Sequence, residues 1–229
     1  MNETARLVML KSLPFFGGLP ENRLQALARE AVCAEYPAGA ALAMEGEQAE
    51  AFHLVAAGRI KLFKINQDGR EQTLYVLGPG EPFCLCVLAG EEAFPAFAAA
   101  LTQARILSFP LAGLILAAKE EPEVLFDLMR ILCGRLKDAM SMVESLALRG
   151  LPERLALFLL HESAKGTAGR ESPLELSQRE LAKIVGATPE AVSRSLRRFA
   201  DAGLVETKGG KVYILDRPGL AREAGETAV

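Results

Sequence analysis

The chain has 229 residues, of which 50% are hydrophobic and 24% are charged, and its net charge at pH 7 is −3. This length and apolar content suffice for two domains with buried cores, and the small negative charge argues against indiscriminate binding to nucleic acid. No run approaches the ~20 apolar residues that span a bilayer, and residues 1–6 lack the basic flank and apolar core of a signal peptide. The sequence therefore predicts a cytoplasmic protein with no membrane partner, and its four cysteines, which lack disulfide-like spacing, fit a reducing compartment.

Turn signals recur at short intervals between residues 36 and 110, and short runs with strand character lie between them. The runs at 59–65 and 72–77 are of strand length, and the stretch from Asn66 to Gly69 suits a hairpin because glycine adopts a positive φ without steric cost. Regular short strands predict an antiparallel β-roll of the jelly-roll kind. We expect this roll to form a first domain over residues 1–118.

From residue 121 to residue 148 the hydrophobic period changes to that of a long helix. Apolar residues recur at intervals of three and four, which is typical of a seam that packs against another helix. The predicted seam consists of Leu125, Leu128, Leu132, Leu136, Ala139, Val143 and Leu146. We expect a dimerisation helix over residues 119–149 that pairs with a second copy of the chain; the alternative is a helix packed on its own domain.

The segment after Pro152 is rich in helices and contains two short helices joined by a tight turn. Ser177 and Glu180 have the spacing of a capping box at the start of the first helix. Gly186 lies in the turn, and Thr188 and Pro189 suit the N-cap and first position of the second helix. This order of caps and turn predicts a helix-turn-helix.

The second helix would have one apolar and one polar face. Its inward residues are Val192, Leu196 and Phe199, and its outward residues are Glu190, Ser193, Arg194 and Arg197. A helix that carries donors and acceptors near its N-terminus is what a helix-turn-helix places in the major groove. The sequence therefore predicts contacts between this polar face and the edges of base pairs.

Residues 204–215 predict two further strands around Gly209 and Gly210, which would form a wing. Lys208 and Lys211 flank this turn, where they can reach a phosphate backbone. Four polar residues at the helix starts complete the predicted DNA-binding set: Ser177, Gln178, Arg179 and Thr188. We expect a winged helix-turn-helix domain over residues 150–229 and, with the roll, an α+β fold class.

The order of β-roll, long helix and winged helix-turn-helix resembles the CRP/FNR superfamily of bacterial transcription regulators over nearly the whole chain. The stretches that carry the resemblance are residues 13–20, 58–63, 68–71 and 181–194. The resemblance implies an allosteric, homodimeric regulator that binds a double-stranded DNA operator and acts with RNA polymerase. No nucleophile–base set suggests an enzyme; the alternative is a ligand-binding or thiol-redox module that acts through protein contacts.

The pattern Glu190-x-x-Ser193-Arg194 is similar to the recognition helix of the FNR type, which implies an inverted repeat with TTGAT-like half-sites. Arg194 can donate two hydrogen bonds to guanine O6 and N7, and Glu190 can accept one from cytosine N4. Ser193 can discriminate at a neighbouring base pair. A two-fold dimer would read half-sites about one helical turn apart.

The resemblance also bears on the effector. Cyclic-AMP members carry Gly-Glu-Leu and then Arg-Ser to grip the phosphate, whereas this chain has Cys84-Leu85-Cys86 and then Pro95-Ala96. No Lys or Arg lies between Arg70 and Arg105, so cyclic AMP is disfavoured unless another segment supplies the charge. An iron–sulfur cluster is disfavoured because Cys33 stands alone near the N-terminus.

The stretch from Phe83 to Cys86 is similar to the Phe-Cys-x-His stretch of haem members that sense carbon monoxide, with Cys84 in the place of the thiolate ligand. Haem with a gas ligand and thiol-redox control are therefore candidates, as is an uncharged ligand in an apolar pocket. That predicted pocket consists of Phe83, Cys84, Leu85, Cys86, Phe94 and Phe97. Cys84 and Cys86 can equally be small core residues, and His53 and His161 are expected to be structural, so the effector stays unknown.

Overall fold

The computed structural model describes residues 1–13, 16, 18–85, 90, 93–165 and 174–225. Contacts between Cα atoms divide the chain into two compact units. Unit 1 comprises Met1–Gly69 and Leu74–Lys137, and unit 2 comprises Arg70–Thr73 and Asp138–Val229. No helix within the described ranges is both long and apolar enough to cross a membrane.

Unit 1 begins with two helices and continues as an antiparallel roll of short strands. The elements in chain order are α1 (Glu3–Lys11), α2 (Glu21–Glu30), β1 (Val32–Tyr36), β2 (Ala41–Ala43), β3 (Ala51–Ala57), β4 (Ile60–Ile65), β5 (Glu71–Leu77), β6 (Pro82–Phe83), β7 (Phe97–Ala100) and β8 (Ala104–Pro110). One sheet has the strand order β1-β8-β3-β6 and the other β2-β7-β4-β5. The predicted roll is thereby confirmed.

The predicted hairpin between β4 and β5 is also present. The Gly69 N–H donates to the Asn66 carbonyl at 3.0 Å, and the Asp68 N–H donates to Asn66 Oδ1 at 3.1 Å. Gly69 has a φ of 77°, a value that glycine adopts at little cost. Local side-chain and glycine chemistry therefore determines this connection.

Two apolar clusters stabilise unit 1 because the two faces of β3 bury different side chains. Phe52 and Leu54 pack with side chains of α1 and α2, while Val55 points to the space shared with the second sheet. The cluster between the sheets includes Ile60, Leu77, Phe83, Cys84, Phe94 and Ile106. Alternation along the strand thus separates a helix-facing core from a roll interior.

Two helices follow the roll, α3 (Leu111–Glu120) and α4 (Glu123–Leu148). The long helix therefore begins at Glu123, four residues later than predicted, because residues up to Glu120 belong to α3. One member of the predicted seam is wrong: Leu128 is 5% exposed and packs in the helix-facing core of unit 1. Met129 is exposed in its place, since the three- and four-residue spacing does not distinguish two neighbouring ridges of one helix.

Unit 2 contains the C-terminal helices and a small sheet. Its further elements are α5 (Leu151–Lys165), α6 (Gln178–Val185), α7 (Pro189–Asp201), β9 (Val205–Lys208), β10 (Lys211–Ile214) and α8 (Arg217–Glu223). β9 and β10 pair antiparallel, with Lys208 opposite Lys211. α8 was not among the predicted helices, although Asp216 caps it by accepting from the Gly219 N–H at 2.9 Å.

Candidate nucleic-acid interface

α6 begins and ends, and α7 begins, where their caps predict. Ser177 Oγ accepts from the Glu180 N–H at 3.1 Å, and Thr188 Oγ1 accepts from the Ala191 N–H at 3.3 Å. Gly186 ends α6 in the left-handed region with a φ of 65°. These short-range contacts fix the turn between the two helices.

The two faces of α7 differ in burial as the hydrophobic pattern predicts. Val192, Leu196 and Phe199 are buried, and Phe199 is 0% exposed. Glu190, Arg194 and Arg197 are exposed, and Ser193 is half-buried. The polar face of α7 is therefore accessible to a ligand, and its apolar face anchors the helix in unit 2.

The carboxylate of Glu190 is held in its ionised form. Its pKa is lowered by hydrogen bonds from its own backbone N–H and from the Thr188 hydroxyl, and by the positive charge of Arg194. A carboxylate that stays ionised only accepts hydrogen bonds, which is what recognition of an amino group requires. Glu190 and Arg194 thus present an acceptor and a donor one helical turn apart.

The remaining predicted DNA-binding residues lie at the start of α6 and in the wing. Ser177, Gln178 and Arg179 are exposed, as are Thr188 and Lys208. Lys211 forms an ion pair with Glu175, and this pairing raises the pKa of its ammonium group. Lys211 therefore reaches a phosphate only in competition with its own carboxylate partner.

The structure separates the residues of the predicted effector pocket. Phe83, Cys84 and Phe94 belong to the cluster between the sheets. Leu85 packs instead against the helix-facing core, and Phe97 stacks on Phe63 with ring centroids 5.4 Å apart. Cys86 lies outside the described residues. Leu85 and Phe97 therefore lie outside this cluster, contrary to the predicted common pocket. Phe97 faces away because side chains alternate along β7, whereas Leu85 follows Cys84, whose φ of 59° breaks the alternation of the preceding strand.

His53 packs within the roll, as is expected of a structural histidine. Its Nδ1 atom lies 2.8 Å from Ser108 Oγ, and its ring stacks between Phe83 at 4.9 Å and Phe94 at 5.8 Å. Burial lowers the pKa of His53 to about 4. The imidazole is therefore neutral near pH 7 and belongs to the packed interior.

Cys84 lies in the same interior and is 8% exposed. Among the described residues, no three His, Cys, Asp or Glu side chains come together as a metal site. These surroundings fit a small core residue better than a haem ligand, since the thiol is enclosed by side chains of its own roll.

Sequence reasoning missed cations that lie close to the roll interior from other segments. Arg135 of α4 lies 3.4 Å from Glu81 Oε1, and its guanidinium stacks over Tyr75 at 5.0 Å from the ring centroid. The Tyr75 hydroxyl donates to the Arg135 carbonyl at 2.9 Å. Burial lowers the pKa of Arg59, and the nearby Glu81 carboxylate opposes that shift. No local sequence signal predicts these contacts, because their partners are far apart along the chain.

Comparison with known proteins covers both units. Residues 33–119 match the family model of a cyclic nucleotide-binding domain, and residues 153–223 match that of a Crp-like helix-turn-helix domain. The chain is 30% identical over 206 residues to the cyclic AMP receptor protein of Thermus thermophilus, which covers 90% of this chain and 94% of that protein. It is 31% identical over 193 residues to the transcriptional activator protein FnrA of Stutzerimonas stutzeri, which covers 82% of this chain and 78% of that protein.

A solved structure shows the same fold. FixK2 from Bradyrhizobium japonicum has a TM-score of 0.79 against this chain at 24% sequence identity, with 87% of this chain and 98% of FixK2 covered. At this identity the likeness concerns the fold alone.

Proposed function

Because the chain belongs to the CRP/FNR family of transcription regulators, we propose that it binds an inverted DNA repeat with TTGAT-like half-sites as a homodimer. Members of this family bind DNA and are not enzymes. The observation that carries the proposal is the polar face of α7, where an ionised Glu190 and an exposed Arg194 lie one turn apart. The alternative, a module that acts only through protein contacts, is not favoured by this family.

The residues of α7 would divide the recognition between them. Arg194 has the planar donor pair that matches guanine O6 and N7, and Glu190 has the acceptor that matches cytosine N4. Ser193 contacts the neighbouring base pair, and Arg197, Lys208 and the start of α6 contact phosphates. Base contacts then set the preferred sequence, and phosphate contacts set the register and most of the affinity.

Dimerisation is proposed through the apolar face of α4. Leu125, Leu132 and Leu136 are 51%, 50% and 62% exposed, and Val143 is 68% exposed. A long helix with a continuous exposed apolar stripe at three- and four-residue spacing fits a second copy of the same helix. The two-fold axis of such a dimer matches the symmetry of an inverted repeat.

The effector is proposed to differ from cyclic AMP. Haem and redox control are the candidates that the sequence raises, and the packed surroundings of Cys84 disfavour haem. RNA polymerase is proposed as the downstream partner. Pro95 and Ala96 lack the polar groups that would hold a cyclic phosphate. Arg135 does bring a cation towards the roll, but Glu81 already pairs with it. We assign effector sensing to residues 1–118, dimerisation to 119–149 and DNA reading to 150–229.

The test is substitution of Arg194 by alanine, with DNA binding measured by fluorescence anisotropy on a TTGAT inverted repeat and on a scrambled duplex. We expect Arg194→Ala to lose about 1–3 kcal/mol of preference per half-site, because guanine loses its bidentate partner. Lys208→Ala should weaken both duplexes alike, since phosphate contacts carry no base information.

Arg222→Ala is the matched control, because it removes the same charge from α8, where the side chain is 68% exposed. It should leave the ratio of the two affinities unchanged. An Arg194→Ala protein that still preferred the repeat over scrambled DNA would contradict the assignment.

A further inference from the structure

The first residues of β5 belong to unit 2, where they contact α6. Glu71 Oε2 lies 2.8 Å from Lys183 Nζ, and the two side chains are 14% and 34% exposed. Lys183 also lies 3.1 Å from Glu180 Oε1 of its own helix. One lysine of α6 is thus held between a carboxylate of its own helix and a carboxylate of β5.

The neighbouring residue contacts the backbone of α6. Gln72 Nε2 donates to the Ile184 carbonyl at 3.0 Å, and the same amide group also donates to the Thr73 carbonyl at 3.0 Å. The carbonyls in the last turn of a helix have no donor within the helix. The N–H groups of Gly186 and Ala187 both donate to the Ala182 carbonyl and not to the Ile184 carbonyl. The side-chain amide of Gln72 therefore supplies a donor for the Ile184 carbonyl.

The turn that follows α6 is packed from outside by the same side chain. A Cβ atom added to Gly186 would lie 3.1 Å from Gln72 Oε1 and 2.9 Å from Leu146 Cδ2. Gly186 therefore has two reasons to be glycine, its positive φ and these close neighbours. Leu146, which the sequence placed in the dimer seam, lies against this turn.

We propose that Glu71 and Gln72 are positioning residues for DNA recognition, because they hold the last turn of α6 and thereby the turn into α7. The residues at the start of α6 and those at the start of α7 must meet the same stretch of duplex. Their relative placement depends on the turn at Gly186, which Gln72 contacts and Glu71 supports through Lys183. The inference rests on the proposed reading of DNA by α7.

The test uses the full-length protein and an operator selected by the wild-type chain from a random duplex pool, so that it does not depend on TTGAT. Gln72→Glu keeps the size of the side chain and removes the amide donor, and Glu71→Gln removes the charge that pairs with Lys183. The measured quantity is the ratio of the dissociation constants for scrambled and selected DNA, with urea unfolding as a parallel measurement. We expect this ratio to fall about fivefold in Gln72→Glu, since one hydrogen bond that fixes the turn is lost.

A double-mutant cycle tests the ion pair separately. Glu71→Gln and Lys183→Met should each lower the ratio, and the double variant should lower it no further than the worse single variant. Glu45→Gln is the matched control, because Glu45 forms an ion pair with Lys64 of β4 at 2.5 Å and both residues belong to unit 1.

The outcomes are distinguishable. An unchanged or increased ratio in Gln72→Glu and Glu71→Gln overturns the inference, and Glu71→Gln decides alone should Gln72→Glu not fold. A selected operator without TTGAT contradicts only the proposed half-site. A wild-type chain that selects no sequence contradicts the proposed function and this inference with it.

Discussion

The two units place their polar groups in opposite ways. In unit 2, α7 exposes Glu190 and Arg194 and buries its apolar face. In unit 1, His53 is stacked between aromatic rings, Lys61 is 6% exposed, and Arg135 is paired with Glu81. Exposed polar groups are available to a ligand, whereas buried polar groups first have to satisfy one another. The polar groups of unit 2 are therefore available for recognition of DNA, whereas those of unit 1 are largely taken up by the packing of the roll.

The largest effect is expected where α7 is anchored. Phe199→Ala removes a fully buried ring and should cost about 4 kcal/mol of the free energy of unfolding of unit 2. Arg197→Ala, two residues earlier on the exposed face, should change stability by less than about 0.5 kcal/mol and weaken DNA binding instead. Urea unfolding and anisotropy on the same samples separate the two effects. Equal losses of stability in Phe199→Ala and Arg197→Ala would contradict the assignment of one buried and one exposed face to α7.

A second prediction concerns close contacts inside the roll. Gly58 has a φ of 76°, and a Cβ atom there would lie 2.1 Å from the Gln103 carbonyl oxygen. Gly58→Ala should therefore destabilise the protein by about 3 kcal/mol.

The matched control is Gly69→Ala, where φ is 77° but no atom of the described residues, apart from the adjacent ones in the chain, lies within 4 Å of the added Cβ. It should cost about 1 kcal/mol, from the backbone conformation alone. Both variants are measured by urea unfolding. A Gly58→Ala protein as stable as Gly69→Ala would show that the backbone at Gln103 moves away from the added Cβ at little cost.

The smallest predicted effect is a pH dependence of the roll. Burial lowers the pKa of His53 from 6.5 to about 4, so the unfolded chain binds a proton that the folded chain excludes between these values. His53 therefore costs little free energy of unfolding above pH 6.5, and this free energy falls as the pH is lowered towards 4. At pH 5 the loss from this residue should be about 2 kcal/mol relative to pH 7.

Urea unfolding at pH 7 and pH 5 measures this difference. His53→Gln should abolish the His53 contribution, because glutamine does not titrate. His161→Gln should retain it, since His161 lies on the exposed side of α5. A His53→Gln protein with the wild-type pH dependence would assign the proton uptake to another group.

Much of the DNA-binding unit could be predicted because its signals are local. Ser177, Gly186 and Thr188 determine the helix ends through contacts three or four residues away, and the glycine pair determines the wing turn. The roll was predicted from turn spacing, but the side on which Leu85 and Phe97 pack was not. Leu128 was misassigned for a related reason, since helical periodicity identifies an apolar face without identifying what covers it.

The sequence by itself determined the order of roll, long helix and winged helix-turn-helix, because hydrophobic period, caps and turn residues act over a few positions. Only the tertiary structure decided which distant residues meet. Gln72 and Ile184 are 112 residues apart, and Arg135 and Glu81 are 54 apart. Such pairs depend on how whole elements pack, and no local propensity of either residue encodes the partner.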